Sequence, residues 1–497
     1  MPFSLEGIEQ AMHQRELFNT NRIVLTDILK KQYENINPEP AVTKNIERLL
    51  SVDTFTITTA HQPNIFTGPL YFIYKILHAI KLAEQLTKTF AGKSFVPVYY
   101  IGSEDADLEE LGHFHLNKEN LVWNTKQAGA VGRMFVDKEL LKLLAIAKGQ
   151  LSVLPFGEEI INVVGNCYTE GETIQTATFK LVNALFGKYG LIVLNADNRA
   201  LKEQMKSVFV DDLLQQVPSK LVQETVSALE KTHKVQAQPR DINLFYLKDD
   251  LRGRIEKIND RYDVHGSDLS FSEEELLLEV NDYPERFSPN VILRGLYQEM
   301  ILPNIAFIGG GGELAYWLEL KSLFNHYRVP YPVLVLRNSF LLVERKWKEK
   351  INKLALQADD FFKPTQELVD QYITEKSDHP LTLNGTLSET EKLYAIIKKQ
   401  AAAVDVSLAG HVENLKKQSL RRLQELEKKM LRSEKRKFAD QQRQINTIKD
   451  QLFPGNGLQE RFDNFMYYYA LWGSEFITAL YNHSLTLEHE FVVLEEN

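Results

Sequence analysis

Residues 54–115 constrain the fold more than any other part of the sequence, because they have the pattern of a strand, a helix and a second strand. A β-rich run at 54–59 leads through a polar turn into apolar residues at helical spacing over 70–82. A second apolar run follows at 95–101. Strands joined through a helix lie parallel. Ligands of such sheets bind at the carboxyl ends of the strands, so the sequence predicts a site formed by the two polar turns that follow these strands.

The first wall of the predicted site is the turn at 61–69. Thr67, Gly68 and Pro69 suit the start of a helix, where free N–H groups and the helix dipole favour an anion. The turn contains neither a Walker A motif nor GxGxxG, so it is a weak signal for a nucleotide, and an ordinary helix start is the alternative. The candidate substrate-binding residues here are His61, Gln62, Asn64, Thr67 and Gly68.

The second wall, residues 104–115, carries five carboxylates within seven residues. Crowded carboxylates repel one another and their pKa values separate, which is how acid and base roles arise. One alternative is a solvated acidic turn. Another is a metal site completed by His113 or His115, although no ligand spacing is diagnostic, and no metal is assigned. The candidate catalytic residues are Glu104, Asp105, Asp107 and His113.

A third polar region lies in residues 287–317, which read as a turn, a helix, a strand and a glycine-rich helix start. Four glycines, 309–312, let the backbone approach a ligand closely, with a permissive tight turn as the alternative. The helical aromatic residues either stack on a base or sugar or belong to the core. The candidate binding residues are Arg294, Gln298, Gly310, Gly311, Glu313, Tyr316, Trp317 and, as a carboxylate clamp from earlier in the chain, Arg240.

Composition excludes several classes of protein. The 497 residues suffice for two or three domains, and a net charge of −9 argues against a general nucleic-acid binder. The single cysteine, Cys167, permits no internal disulfide, which indicates a reducing cytoplasm, and its neighbours supply no base for a nucleophile. We find no signal peptide and no apolar run of 18 residues, so neither secretion by that route nor a membrane span is expected.

The predicted fold is α/β, with a Rossmann-like, mainly parallel sheet, two insertions and a C-terminal antiparallel coiled-coil arm. Apolar residues at 4-3-4-3 spacing begin at Trp347, and a second long helical region covers 388–452. The expected domains are N-terminal helices packing on the core at 1–50, a core at 51–340 with insertions at about 116–171 and 201–285, an arm at 341–455, and a C-terminal helix at 456–497 that returns to the core.

Two smaller predictions concern this core. The charged, alternating stretch 248–263 predicts a hairpin bent at 251–254. Asp197 ends a short buried strand, where it either caps the helix that begins at Arg199 or binds a ligand.

Three long blocks resemble one known family, the cysteine-adding BshC enzymes of bacillithiol biosynthesis. The blocks are HQPNIFTGPLYFIYKI at 61–76, VPVYYIGSEDADLEELGH at 96–113, and FSPNVILRGLYQEMILPNIAFIGGGGELAYW at 287–317. The resemblance covers nearly the whole chain, including the late helical segment. It departs at Ala106, where the family has a polar residue, often His, so a general-base role is not carried over to that position.

The resemblance implies a ligase that adds L-cysteine to the amine of glucosaminyl malate, forming the amide of bacillithiol, and a homodimer made through the arm. Sequence pattern alone indicates only an enzyme that binds a small anionic ligand. A free carboxylate does not acylate an amine in water, so cysteine needs activation, most simply by ATP with Mg²⁺; no cofactor is assigned. The alternatives are a nucleotidyltransferase of another pathway and a non-catalytic coiled-coil assembly protein.

Overall fold

The computed structural model describes residues 2–496. The chain forms two compact units, the first made of residues 2–340 and 460–492 and the second of residues 341–459 and 493–496.

The strands are β1 (Thr54–His61), β2 (Ser94–Ile101), β3 (His113–Leu116), β4 (Glu119–Val122), β5 (Ile192–Asn195), β6 (Leu244–Lys248), β7 (Leu251–Ile258), β8 (Arg261–Val264), β9 (Ser270–Phe271), β10 (Phe287–Pro289), β11 (Asn304–Gly309), β12 (Val333–Leu336), β13 (Ser339–Val343) and β14 (Phe491–Glu495). The helices up to residue 327 are α1 (Leu5–Glu16), α2 (Arg22–Tyr33), α3 (Pro40–Arg48), α4 (Tyr71–Thr89), α5 (Leu108–Leu111), α6 (Lys138–Leu151), α7 (Gly157–Cys167), α8 (Ile174–Phe186), α9 (Arg199–Lys202), α10 (Lys206–Val210), α11 (Val217–Leu229), α12 (Glu273–Asp282), α13 (Val291–Ile301), α14 (Gly311–Glu319) and α15 (Lys321–Tyr327). The later helices are α16 (Arg345–Lys353), α17 (Thr365–Lys376), α18 (Asn384–Val404), α19 (Leu408–Lys435), α20 (Ala439–Leu452), α21 (Phe465–Trp472) and α22 (Ser474–His483).

A five-stranded parallel sheet with the order β12-β11-β1-β2-β5 forms the centre of the first unit. The predicted strand-helix-strand unit is β1-α4-β2, and it places β1 in the middle of the sheet. Later strands are added on opposite sides, β5 beyond β2 and β11 next to β1. This arrangement confirms the predicted Rossmann-like α/β class and puts the point where the strand order reverses at the carboxyl end of β1.

The threonines of β1 are buried and paired with β11. Thr58 donates to Asn304 Oδ1 at 2.8 Å, and Thr59 donates to the carbonyl oxygen of Ile308 at 2.9 Å. A strand covered on both faces leaves no water for its hydroxyls, so each needs a protein partner. α4 packs on β1 and β2 and buries most of its length, which fixes the ends of both strands.

A second sheet, antiparallel and ordered β10-β6-β7-β8-β9, is formed by the chain between the central strands β5 and β11. The hairpin predicted in this region is present, but the predicted turn at 251–254 is wrong. Lys248 pairs with Leu251, so the turn is Asp249 and Asp250, with φ of 49° at Asp249. Gly253 is needed for packing rather than for turning, because a Cβ there would lie 2.4 Å from the carbonyl oxygen of His265.

The second unit contains the predicted antiparallel coiled-coil arm, whose paired helices are α18 and α19. Their register is antiparallel, with Tyr394 bonded to Ser419 at 2.7 Å and Lys398 paired with Glu413 at 3.1 Å. The chain reverses at 405–407, where the Asp405 carboxylate accepts from the Ser407 N–H. Buried residues of α16, α17 and α20 form a separate apolar cluster at the base of this pair. Among residues 2–496, no helix is both long and apolar enough to span a membrane.

Candidate active site

A cavity of about 340 Å³ lies at the carboxyl edge of the central sheet. Every strand of that sheet contributes to its lining through the residues that follow it: Gln62 after β1, residues 102–105 after β2, Ala196 and Asp197 after β5, residues 310–313 after β11, and Arg337 after β12. Ligands of doubly wound sheets bind at this edge.

One side of the cavity holds a cluster of buried charges. Lys202, the last residue of α9, is fully buried and forms an ion pair with Glu104. Asp197 is held at 2.7 Å by both Nε and a terminal nitrogen of Arg133. Burial raises the pKa of Glu104 despite the opposing charge of Lys202. Burial acts in the same direction on Asp197, but the hydrogen bonds from Arg133 and the charge of Lys202 lower the pKa of Asp197 below its ordinary value.

Asp105 lines the cavity beside this cluster, whereas two other candidates from the same loop do not. Gln62 Nε2 donates to Asp105 Oδ2 at 3.2 Å. Asp107 is exposed and caps α5 by accepting the Glu110 N–H at 3.0 Å. His113 bonds through Nδ1 to the carbonyl oxygen of Glu109 and is absent from the lining.

The opposite side of the cavity is built on α14 and α4. Glu313 Oε2 accepts from Lys75 Nζ at 2.6 Å and from the Gly310 N–H at 2.8 Å, so it both caps α14 and neutralises a buried lysine. Burial lowers the pKa of Lys75, and the charge of Glu313 opposes this. Arg337 pairs with Glu460 at 2.7 Å, leaving its guanidinium 5.1 Å from the ring centroid of Tyr71.

Arg294 reaches the cavity from α13 and is held by neutral partners. It donates to Gln298 Oε1 at 3.2 Å and to the Tyr316 hydroxyl at 3.1 Å. Gln298 in turn donates to Glu299, which pairs with the buried Arg15 of α1 at 2.7 Å. Of these two candidate binding residues, Gln298 is therefore buried and Arg294 is open to the cavity.

His61 is the last residue of β1, and it lines the cavity with one ring nitrogen left without a partner in the described part of the chain. Its Nε2 is buried and has no hydrogen-bond partner among the described residues. Burial, together with the charges of Lys75 and Arg337, lowers the pKa of His61 well below its ordinary value. The imidazole of this cavity-lining residue is therefore held in its neutral form.

Several predicted binding residues lie outside the cavity. Asn464 donates to the carbonyl oxygens of Phe66 and Gly68, so its segment covers the turn that contains Asn64 and Thr67. α4 begins after this turn, at Tyr71. Trp317 is a core residue, fully buried and stacked on Phe307 at 4.4 Å. Arg240 is exposed and does not reach the cavity.

Some residues of the site were not singled out from the sequence, although one of them, Lys75, which holds the lining residue Glu313, left a signal. Lys75 interrupts the apolar pattern of α4 with a charge on its buried face. Asp197, which the sequence indicated as a helix cap or a ligand-binding residue, lines the cavity. Asp197 does not cap the following helix, because Asn198 makes those bonds to the Ala200 and Leu201 N–H groups. Arg252 and Arg337 left no signal, because their position depends on how separate strands are arranged in space.

The cavity lining contains no nucleophilic thiol. Cys167 is buried elsewhere in the first unit, and burial raises its pKa to about 11. Within residues 2–496, no group of three or more His, Cys, Asp or Glu side chains is arranged to hold a metal ion.

Two family models together match almost the entire chain. They are described as "Bacillithiol biosynthesis BshC, N-terminal Rossmann-like domain", over residues 3–338, and "Bacillithiol biosynthesis BshC, C-terminal coiled-coil domain", over residues 340–496. A solved structure described as a "putative arginyl t-RNA synthetase" from Campylobacter jejuni aligns over 93% of this chain and 98% of its own, at 10% identity; its TM-score of 0.22 is too low to carry an argument.

Curated relatives align along most of their length. A Flavobacterium psychrophilum protein is 40% identical over 495 residues, covering 98% of this chain and 93% of its own. A Flavobacterium johnsoniae protein is 38% identical, covering 99% and 93%, and one from Christiangramia forsetii is 38% identical, covering 98% and 91%. All three are named "Putative cysteine ligase BshC". With the parallel sheet, the edge cavity and the coiled-coil arm, these matches show that the chain belongs to the bacillithiol biosynthesis BshC family.

Proposed function

We propose that this protein is a ligase that joins the carboxyl group of L-cysteine to the amine of glucosaminyl malate, the amide-forming step that gives bacillithiol. The observation that carries the proposal is the cavity, which combines carboxylates with guanidinium groups at the carboxyl edge of the sheet. Both substrates carry positive and negative groups, so a site for them needs both kinds of partner.

The Glu313 side of the cavity suits the ammonium group of cysteine. Glu313 Oε2 makes both of its internal hydrogen bonds, and Oε1 has no partner among the described residues. An ammonium group there would be held against the start of α14. The adjacent N–H groups of Gly311 and Gly312, together with Arg294, would then face the cysteine carboxyl, where negative charge develops during acyl transfer.

The Asp105 side of the cavity suits the reacting amine. Amide formation requires that the amine lose a proton as the new C–N bond forms and that an activating group leave with the electron pair of the broken bond. Asp105 is accessible and is not engaged by any cation in the described part of the chain, so we assign it as the base. Glu104 forms an ion pair with Lys202 and so fixes the position of this side of the cavity.

Activation of the cysteine carboxyl is most simply supplied by ATP with Mg²⁺, as an acyl adenylate or an acyl phosphate. The test is to incubate the purified protein with cysteine and glucosaminyl malate, with and without Mg-ATP, and to measure bacillithiol by mass spectrometry and the released nucleotide by chromatography. We expect bacillithiol with ATP only, and AMP or ADP identifies the activated species. A protein that makes no bacillithiol under any of these conditions contradicts the proposal.

We further propose that the arm joins two copies of the chain. Large apolar side chains are exposed along α18 and α19, among them Leu393, Ile396, Leu415 and Leu426. Paired helices that leave apolar residues open on their outer surface bury them by associating with another copy.

A further inference from the structure

Arg252 is a cavity arginine that has no hydrogen-bond or ion-pair partner in the described part of the chain. It lies on β7, in the antiparallel sheet, and lines the cavity. Its guanidinium carbon stands 3.8 Å from the ring centroid of Phe245. Its Nε is buried with no hydrogen-bond acceptor, and among residues 2–496 its side chain forms no ion pair and no hydrogen bond.

Two of the other cavity arginines, Arg294 and Arg337, are engaged by protein partners, and the remaining one, Arg461, is exposed to solvent. Arg337 pairs with Glu460, and Arg294 donates to Gln298 and Tyr316. A guanidinium that is partly removed from water and left unpaired is unfavourable for the folded protein. Proteins retain such groups where a ligand supplies the missing partner.

The nearest carboxylates are already bonded to other groups. Glu104 pairs with Lys202, and Asp105 accepts from Gln62 and from the backbone N–H of Asp107. Both carboxylates act on Arg252 only at longer range, and burial remains the larger influence, lowering the pKa of Arg252. The arginine therefore has donors to offer toward the cavity.

Packing of the hairpin holds Arg252 in place. A Cβ at Gly129 would lie 2.8 Å from the carbonyl group of Asp250, so the loop around Gly129 packs closely on the hairpin tip. On the other side, Gly253 allows β7 to approach His265 closely. With Phe245 beneath its guanidinium, Arg252 is pre-organised before any ligand arrives.

We propose that Arg252 binds a carboxylate of the acceptor substrate and so selects an acceptor that carries one. This deepens the proposed function and rests on it. The only carboxylate of cysteine is the reacting group, so a carboxylate contact that persists through the reaction must be made to the acceptor substrate. A guanidinium matches a carboxylate with two parallel hydrogen bonds, and the malyl group offers carboxylates that take no part in amide formation.

The kinetic test compares an acceptor with carboxylates, glucosaminyl malate, with one that has the same amine but none, methyl glucosaminide. For Arg252→Ala we expect KM for glucosaminyl malate to rise about 10- to 100-fold, as for loss of a charged hydrogen bond. KM for methyl glucosaminide, cysteine and ATP should stay unchanged, and Arg252→Lys should recover part of the loss. Arg254→Ala is the matched control, since Arg254 is exposed two residues further along β7 and should behave like the wild type.

Three kinetic results would overturn the assignment: an unchanged KM for glucosaminyl malate in Arg252→Ala, an equal rise for both acceptors, or a rise for ATP in place of the acceptor. A binding measurement separates this inference from the ligase activity. By calorimetry, malate alone should bind the wild type and Arg254→Ala but not Arg252→Ala, whether or not the protein makes bacillithiol. Malate binding that is equal in all three proteins contradicts the role of Arg252 even if ligase activity is found.

A stability measurement guards against a purely structural explanation. Arg252→Met keeps the apolar stem over Phe245 and removes an unpaired charge, so the melting temperature of the ligand-free protein should stay the same or rise. A clear fall would mean that Arg252 supports the fold, and the binding role would then be rejected.

Discussion

At the residue scale, the site is organised by buried lysines that neutralise specific carboxylates. Lys75 pairs with Glu313 and Lys202 with Glu104. The acids were recognised in the sequence because they follow a strand whose end the hydrophobic pattern marks. Lys202 could not be recognised as a partner, since it lies 98 positions from Glu104 along the chain and meets it only through the order of the strands.

The Lys202–Glu104 pair should show strong energetic coupling. Replacing Lys202 with Met leaves a buried carboxylate uncompensated, which we expect to lower the free energy of unfolding by about 3–5 kcal/mol. Adding Glu104→Gln to Lys202→Met removes that charge and should restore part of the loss. Urea denaturation of the two single variants and the double variant measures the coupling. Additive effects would show that the two groups do not interact as described.

Asp212 should make stability depend on pH. It is fully buried, accepts two hydrogen bonds from Asn243, and burial raises its pKa to about 7. The unfolded chain releases this proton near pH 4 and the folded chain only near pH 7. The stabilisation of the folded state by protonated Asp212 is therefore complete below pH 4 and is lost as pH rises to 7.

The matched variant for this effect is Asp212→Asn, which cannot titrate. As pH rises from 4 to 7, the unfolding free energy of the wild type should fall relative to that of Asp212→Asn by up to about 1.4 kcal/mol per pH unit. Urea denaturation at several pH values measures this difference. A difference that is constant over this range would contradict the raised pKa.

At the element scale, α14 opens the site because it begins with glycines whose missing side chains leave space. A Cβ built on Gly311 or Gly312 meets no atom within 4 Å. The four glycines were recognised in the sequence as a place of close ligand approach. The turn of the hairpin that carries Arg252 was predicted too late in the chain, at 251–254, because an Asp with positive φ makes the turn and the glycine serves packing instead.

Filling the space at α14 should weaken substrate binding without harming the fold. We expect Gly311→Leu to keep the melting temperature of the wild type, since the new side chain displaces no atom. We expect KM for the substrates to rise about tenfold or more, because the leucine side chain enters the cavity. Gly149→Leu is the control, as Gly149 of α6 is also open but lies outside the cavity lining. Equal kinetics for the two variants would argue against this cavity as the substrate site.

The helical arm should set the oligomeric state. Ile396 is 56% exposed on α18, so Ile396→Glu should shift the protein from dimer to monomer in light scattering coupled to gel filtration, with secondary structure retained in circular dichroism. Lys399→Glu, an exposed charge change on the same helix, should leave the dimer intact. A wild-type protein that is monomeric would refute the proposal at once.

At the scale of the whole molecule, chain order explains both what the sequence predicts and what it does not. The β1-α4-β2 unit follows from local periodicity, and the coiled-coil arm follows from helical spacing. The cavity depends on β5, β11 and β12, which return to the sheet from distant parts of the chain. The turn at 61–69 shows the opposite case: its segment 67–69 suggested an anion site, but Asn464, nearly 400 positions later, bonds to Phe66 and Gly68 and covers that segment.

The measurement that tests the account most directly compares Asp105→Asn with Asp107→Asn in the complete ligase reaction. The two aspartates share a loop and a charge, but only Asp105 lines the cavity. If Asp105 is the base for the sugar amine, Asp105→Asn should form bacillithiol about 10²- to 10⁴-fold more slowly, while Asp107→Asn stays near the wild-type rate. Full activity in a folded Asp105→Asn protein, or equal losses in both variants, would contradict the claim that this cavity performs the reaction.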